Sequence, residues 1–163
     1  MKNQKKKGKG FKKSNPKNMR CPNCGRPMVL RSSKGIYKDN TEAMLYVCAG
    51  YPGCDTYARV HLGTEIPMGV PANGALRALR DKTHKEFDKI HKTGIMCRKD
   101  AYAWLAGMLN IPMSEAHIGN FSEYYCNRTM EESKKLIENI NAVRSNKRPL
   151  MRGGGNNVTK RVS

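Results

Sequence analysis

Cys21-Pro22-Asn23-Cys24-Gly25 and Cys48-Ala49-Gly50-Tyr51-Pro52-Gly53-Cys54 are two cysteine turns, with residues 25–47 carrying the chain from one to the other. Zinc takes four ligands tetrahedrally, and thiolates suit it as soft donors. A two-residue spacer lets Cys21 and Cys24 reach one ion, Gly25 gives the turn its backbone freedom and Pro22 stiffens it. Gly50, Pro52 and Gly53 supply the same bending in the longer second turn. The pattern predicts one structural zinc held by Cys21, Cys24, Cys48 and Cys54. Four sulfurs close the site and leave no position for a catalytic water. Three other readings are weaker. Incidental buried thiols seldom form a CxxCG turn matched by a second cysteine turn. Redox use of Cys21 and Cys24 wants a βαβ context, which is missing. His61 as a ligand would compete with a set already complete.

Outward from these turns the pattern is of short strands. Pro27–Ser32, Ala43–Val47 and Thr56–His61 are candidates, the last rich in β-branched and aromatic residues. Gly63, Pro67, Gly69 and Pro71 mark a connector over 63–72. Beyond it Leu76, Leu79, Thr83, Phe87 and Ile90 fall on one face of a helix that Gly94 ends. Ala101, Trp104, Leu105, Met108 and Leu109 make a second stripe, closed at Asn110-Ile111-Pro112. A third helix is expected from about Asn120, with Glu123 completing a capping box and Tyr125, Thr129, Leu136, Ile140 and Val143 facing inward. The fold class is α+β: a zinc ribbon over 21–62, then a cluster of about three helices over 73–143. Basic tails, 1–20 and 144–163, are expected to be disordered.

The net charge of +18 is concentrated in those tails. Residues 1–20 hold Lys2, Lys5, Lys6, Lys7, Lys9, Lys12, Lys13, Lys17 and Arg20; residues 144–163 hold Arg144, Lys147, Arg148, Arg152, Lys160 and Arg161; neither contains an acid. The middle of the chain nearly balances, the more so once a net-negative zinc–thiolate site is counted. The tails suit phosphate contact through counterion release. In the ribbon Tyr37, Tyr46 and Tyr57 interleave with Arg31, Lys34, Lys38 and Arg59. That is either a stacking platform for single strands or the packing of a small core. The nucleic-acid contacts expected are Arg31, Lys34, Tyr37, Tyr57 and Arg59 in the ribbon, with Lys5, Lys6, Lys7, Lys12 and Lys13 in the tail.

The segment CPNCGRPMVLRSS…YVCAGYPGCDTY resembles the zinc ribbons at the C-terminal ends of type IA DNA topoisomerases, through Cys21, Pro22, Cys24, Gly25, Leu30, Arg31, Cys48, Tyr51, Pro52 and Cys54. The resemblance implies binding of single-stranded DNA, partly by stacking bases on aromatic residues. No topoisomerase catalytic segment is present, so only binding would carry over. A wider stretch, roughly 19–130, resembles a family of small zinc-finger-containing proteins of bacteria and their phages. It does so through the cysteine turns, HLGTEIPMG (61–69), LRALRDKTHKEFD (76–88), RKDAYAWLAGMLNIP and HIGNF. That implies the fold, the zinc and an accessory role.

Other features carry less. Residues 101–121 loosely follow a helix-turn-helix layout, but no Arg or Lys occurs from Asp100 to Asn127, against insertion into a DNA groove. His84, His91 and His117 with Cys97 and Cys126 match no metal spacing. There is no phosphate loop, no serine-nucleophile motif and no acidic cluster fit for Mg²⁺, so no enzyme is expected. No apolar run is long enough to cross a bilayer, and no apolar stretch follows the charged start, which points to a cytoplasmic chain. Expected partners are single-stranded DNA or RNA. A protein partner is the alternative, such as host RNA polymerase or the rest of a nucleoprotein assembly. No membrane and no small-molecule substrate is expected.

Overall fold

The structure, a computed structural model, describes residues 18–36 and 43–146. Three antiparallel strands, β1 (Met28–Ser32), β2 (Met44–Cys48) and β3 (Tyr57–Arg59), form a sheet in the order β1-β2-β3. Leu45 to Cys48 are all buried, as a central strand with both faces covered requires. The register sets Arg31 opposite Leu45 and Leu45 opposite Arg59, and one step along sets Leu30, Tyr46 and Ala58 in a row. Since successive side chains alternate, the second row shares its face with Cys48 and Met28. There Cys21, Met28, Tyr46, Cys48 and Cys54 make a small core, with Met19, Leu30 and Val60 packed against it. Tyr46 is therefore a core residue, and of the two uses open to it packing prevails. Met19 and Arg20 also join the ribbon: Arg20 bridges Pro27, and the Met28 N–H donates to the Met19 carbonyl at 2.9 Å.

Three helices follow: α1 (Gly74–Lys92), α2 (Arg98–Leu109) and α3 (Glu123–Asn146). The Asn73 side chain caps α1 by accepting from the Leu76 N–H at 2.9 Å. Gly94, at φ 68°, ends that helix, and Asn110, at φ 53°, ends α2 in the same left-handed conformation. Phe87, Ile90, Ala101, Leu105, Ile118, Phe121 and Cys126 form the helical core. Phe87 meets Tyr102 edge to face, with ring centroids 5.0 Å apart. Trp104 is only partly buried at the edge of this core. Together the sheet and the helices make the α+β architecture expected from the pattern of residues.

Several details differ from the reading of the sequence. Between α2 and α3 the chain forms only single 3-10 turns, Met113–Glu115 and Ile118–Asn120. The second helix of a helix-turn-helix is therefore absent. Asn120 does not start α3, because its Oδ1 is engaged by the Val70 N–H at 3.2 Å. The inward stripe of α3 runs through Cys126, Thr129 and Ser133, while Val143 is exposed. Here α3 packs along α1, with the buried Cys126 thiol beside Thr83. The helix also continues to Asn146, past the residue at which the tail was expected to begin. Among the described residues, no helix is long and apolar enough to cross a membrane.

The connector is pinned on both sides. Tyr57 and Ala72 exchange two backbone hydrogen bonds, each 3.1 Å, which extends the ribbon's edge. The Val70 carbonyl accepts from Arg80 Nη1 at 2.7 Å, so both polar backbone groups of Val70 are held from the helical side. Gly69 presses on Gly119, whose carbonyl oxygen would lie 2.6 Å from any Cβ placed there. Asp55 and Arg77 make the last tie. The carboxylate accepts from the Gly74 N–H at 2.7 Å and pairs with the guanidinium at 3.4 Å.

Candidate metal centre

Each cysteine turn aims two sulfurs at one point. In the first, the Gly25 N–H donates to the Cys21 carbonyl at 2.9 Å and the Cys21 N–H to the Arg26 carbonyl at 2.8 Å. Gly25 sits at φ 72°, where a side chain would be strained. In the second, the Cys54 N–H donates to the Gly50 carbonyl at 2.9 Å, and the Cys48 N–H to the Thr56 carbonyl at 2.9 Å. The four sulfurs all lie within 4.8 Å of one another. Cys21 and Cys54 are 3.7 Å apart, and Cys24 and Cys48 are 3.3 Å apart. Tetrahedral zinc with bonds of about 2.3 Å sets sulfurs roughly 3.8 Å from each other, so the cluster needs little adjustment to hold the ion. The donor set therefore fits one zinc, which would clamp both turns and, having no open position, serve structure alone.

Polar groups around the sulfurs favour their charged forms unequally. The Thr56 hydroxyl, 3.4 Å from Cys54 Sγ, and the Asn23 amide, 3.6 Å away, bring the Cys54 thiol down to about 6. Burial pushes Cys48 up to about 12, although the Gly50 N–H donates to its sulfur at 3.4 Å. Cys21 is also desolvated by burial, but the backbone N–H groups of Cys24 and Asn23 bring it below its ordinary value. In the metal-free cluster Cys54 thus ionises more readily than Cys48, and zinc must displace the protons that the thiols still hold. Below about pH 6, Cys54 also protonates, and a further proton must leave. Apparent zinc affinity should therefore fall at least about tenfold for each unit of acidification near pH 7, and more steeply below 6. Competition with a chromophoric chelator between about pH 5.5 and 8 measures this. A pH-independent affinity would contradict it.

A family model described as a zinc-finger-containing domain matches residues 17–136. The chain belongs to this family. The match takes in the ribbon together with α1, α2 and part of α3. No curated protein and no solved structure matches the chain. The zinc finger of the family is here the four-cysteine cluster, one structural zinc site. His61 is not part of it, and His84, His91, His117, Cys97 and Cys126 form no second cluster among the described residues.

The expected nucleic-acid contacts are distributed unevenly. Lys5, Lys6, Lys7, Lys12, Lys13 and Tyr37 lie outside the described residues. Arg31, Lys34 and Arg59 are exposed. Arg31 and Arg59 share one face of the sheet but lie on its outer strands, separated by Leu45. Tyr57 is half-buried, and the Arg77 guanidinium stands 3.5 Å from its ring centroid, so one face of the ring is already covered. Asn23, Thr56, Asp55, Arg77 and Arg80 have roles that no motif in the sequence signalled. Asn23 and Thr56 lie within two residues of a cysteine ligand, the one signal that could have singled them out. The partners of Asp55, Arg77 and Arg80 are distant in sequence and leave no local signature.

Proposed function

We propose that this protein is a non-enzymatic accessory protein that binds single-stranded DNA or RNA, encoded by a phage or prophage and working in the cytoplasm. The distribution of charge carries the reading. A net +18 is borne mainly by two end segments, residues 1–20 and 144–163, that contain no acid. Such segments attract a phosphate backbone without a fixed structure and release condensed counterions when they bind. The zinc ribbon, similar in its cysteine turns to the topoisomerase ribbons, supplies the ordered body beside them. In this reading the metal organises a binding surface and performs no chemistry.

The test is the salt dependence of binding to an oligonucleotide of about 20 residues. If the tails make five phosphate contacts, affinity falls on the order of a hundredfold between 50 and 200 mM salt. Deleting residues 1–17, which spares Met19 and Arg20 in the ribbon, should remove much of that slope. A flat response would rule the reading out. A protein that stays bound to the tagged chain after nuclease treatment would mark a protein-interaction module instead.

A further inference from the structure

The described part of the ribbon up to the last cysteine is free of acids. No Asp or Glu occurs in 18–36 or 43–54, while Arg20, Arg26, Arg31 and Lys34 do. The first acid beyond, Asp55, is engaged by Arg77 and the Gly74 N–H. Two of these arginines converge on consecutive residues of the second cysteine turn. Arg26, brought by the first turn, lies close against Gly50: a Cβ there would meet its side chain, with Cδ at 3.2 Å and Cζ at 3.3 Å. Arg31, brought by β1, holds its guanidinium carbon 5.9 Å from the ring centroid of Tyr51. Both arginines are exposed, neither forms an ion pair among the described residues, and the Tyr51 ring is half-exposed. Val29, two residues before Arg31 and on the same face of the sheet, is 48% exposed.

We propose that Tyr51, Arg26 and Arg31 form a nucleotide subsite on the second cysteine turn, in which a base stacks on Tyr51 and the two guanidiniums take the flanking phosphates. The site rests on the nucleic-acid reading above and locates it on the folded body. An aromatic ring bracketed by cations stacks any base, because each base offers a π face, and guanidiniums bind phosphate with paired donors. Among the described residues of the ribbon up to Cys54 no carboxylate stands by to repel a phosphate. The zinc–thiolate site is net negative, and Arg26 places a compensating charge over the turn that carries Cys48 and Cys54. Tyr57, by contrast, has Arg77 on its ring in a guanidinium already committed to Asp55.

The experiment uses the zinc-loaded full chain and a labelled thymidine 12-mer. Tyr51→Leu should weaken binding roughly 5- to 150-fold with the salt slope unchanged. The pair Arg26→Gln and Arg31→Gln should lower the slope by about 1.4, the loss of two single-strand phosphate contacts. Tyr51→Phe keeps the π face and should bind as the wild type does. Should a variant lose zinc, a second measurement on the unaltered protein decides: photocrosslinking to an oligonucleotide bearing 5-iodouridine, with the adduct expected on Tyr51. Wild-type affinity and slope in all variants, with crosslinks confined to the end segments, would overturn the subsite and leave the nucleic-acid reading intact. No binding by the unaltered chain would overturn both.

Discussion

Stripping the zinc, or replacing Cys48 by Ser, should unfold the ribbon while leaving the three helices largely formed. The core of the ribbon contains little besides the metal ligands: three of its five buried residues are Cys21, Cys48 and Cys54. Met28 and Tyr46, with three flanking side chains, bury too little apolar surface to order this part of the chain alone. Zinc binding to such a unit is itself folding free energy, on the order of 10–16 kcal/mol in small zinc modules near neutral pH. The helices have a core of their own in Phe87, Ile90, Leu105, Ile118 and Phe121. Chelation should therefore abolish amide protection across β1 to β3, while the helical circular-dichroism signal stays mostly intact. Cys97→Ser should leave zinc content at one equivalent, because Cys97 is an exposed cap residue outside the cluster. A ribbon that keeps its amide protection in chelator would refute the metal's structural role.

Arg80→Met should cost about 2–4 kcal/mol, a drop in melting temperature on the order of 10 °C. Arg80 is 9% exposed, and burial lowers its proton affinity from the ordinary value. No carboxylate partners it among the described residues. Its Nε donates to the Phe121 carbonyl at 2.8 Å and its Nη1 to the Val70 carbonyl at 2.7 Å. Removing the side chain strands two carbonyls, each worth about 1–3 kcal/mol if it stays dry, while the lost desolvation of the guanidinium offsets part of the cost. Lysine would not restore the wild type, since one ammonium cannot match a planar fork reaching two segments. The loss should show locally as faster exchange of the Val70 amide and cleavage by protease within 63–72. A Met variant that melts with the wild type and exchanges no faster would show that these bonds do not hold the connector.

The parts of this molecule that were legible in the sequence are those whose signal is local. Four cysteines in two glycine- and proline-shaped turns state the metal site, because ligand spacing is a property of a few adjacent residues. The helices announce themselves by period, and Gly94 and Asn110 end them by their tolerance of positive φ. Misreadings arose where a distant residue claims a group. Asn120 resembles a cap, but Val70 takes its oxygen. At Tyr57, left open between stacking and packing, a guanidinium from α1 lies on one face of the ring. The inward stripe of α3 uses Cys126 and Ser133, which a search for large apolar residues passes over because close helix packing there favours small ones. Arg26 had no visible role in the sequence, because its contact is with Gly50 in the other cysteine turn.

The pinned connector also bears on how such a protein can be cut and recombined. Residue 72 supplies two of the hydrogen bonds along β3, and Val70 is held by groups from α1 and from the turn before α3. A fragment stopping at residue 62 would expose the bare rim of β3, an invitation to pair with another copy. A fragment starting at residue 73 would lose the segment that Arg80 and Asn120 bind. Neither half is a portable cassette, so a finger grafted onto another protein should include its helices, as the span 17–136 shared with its family does.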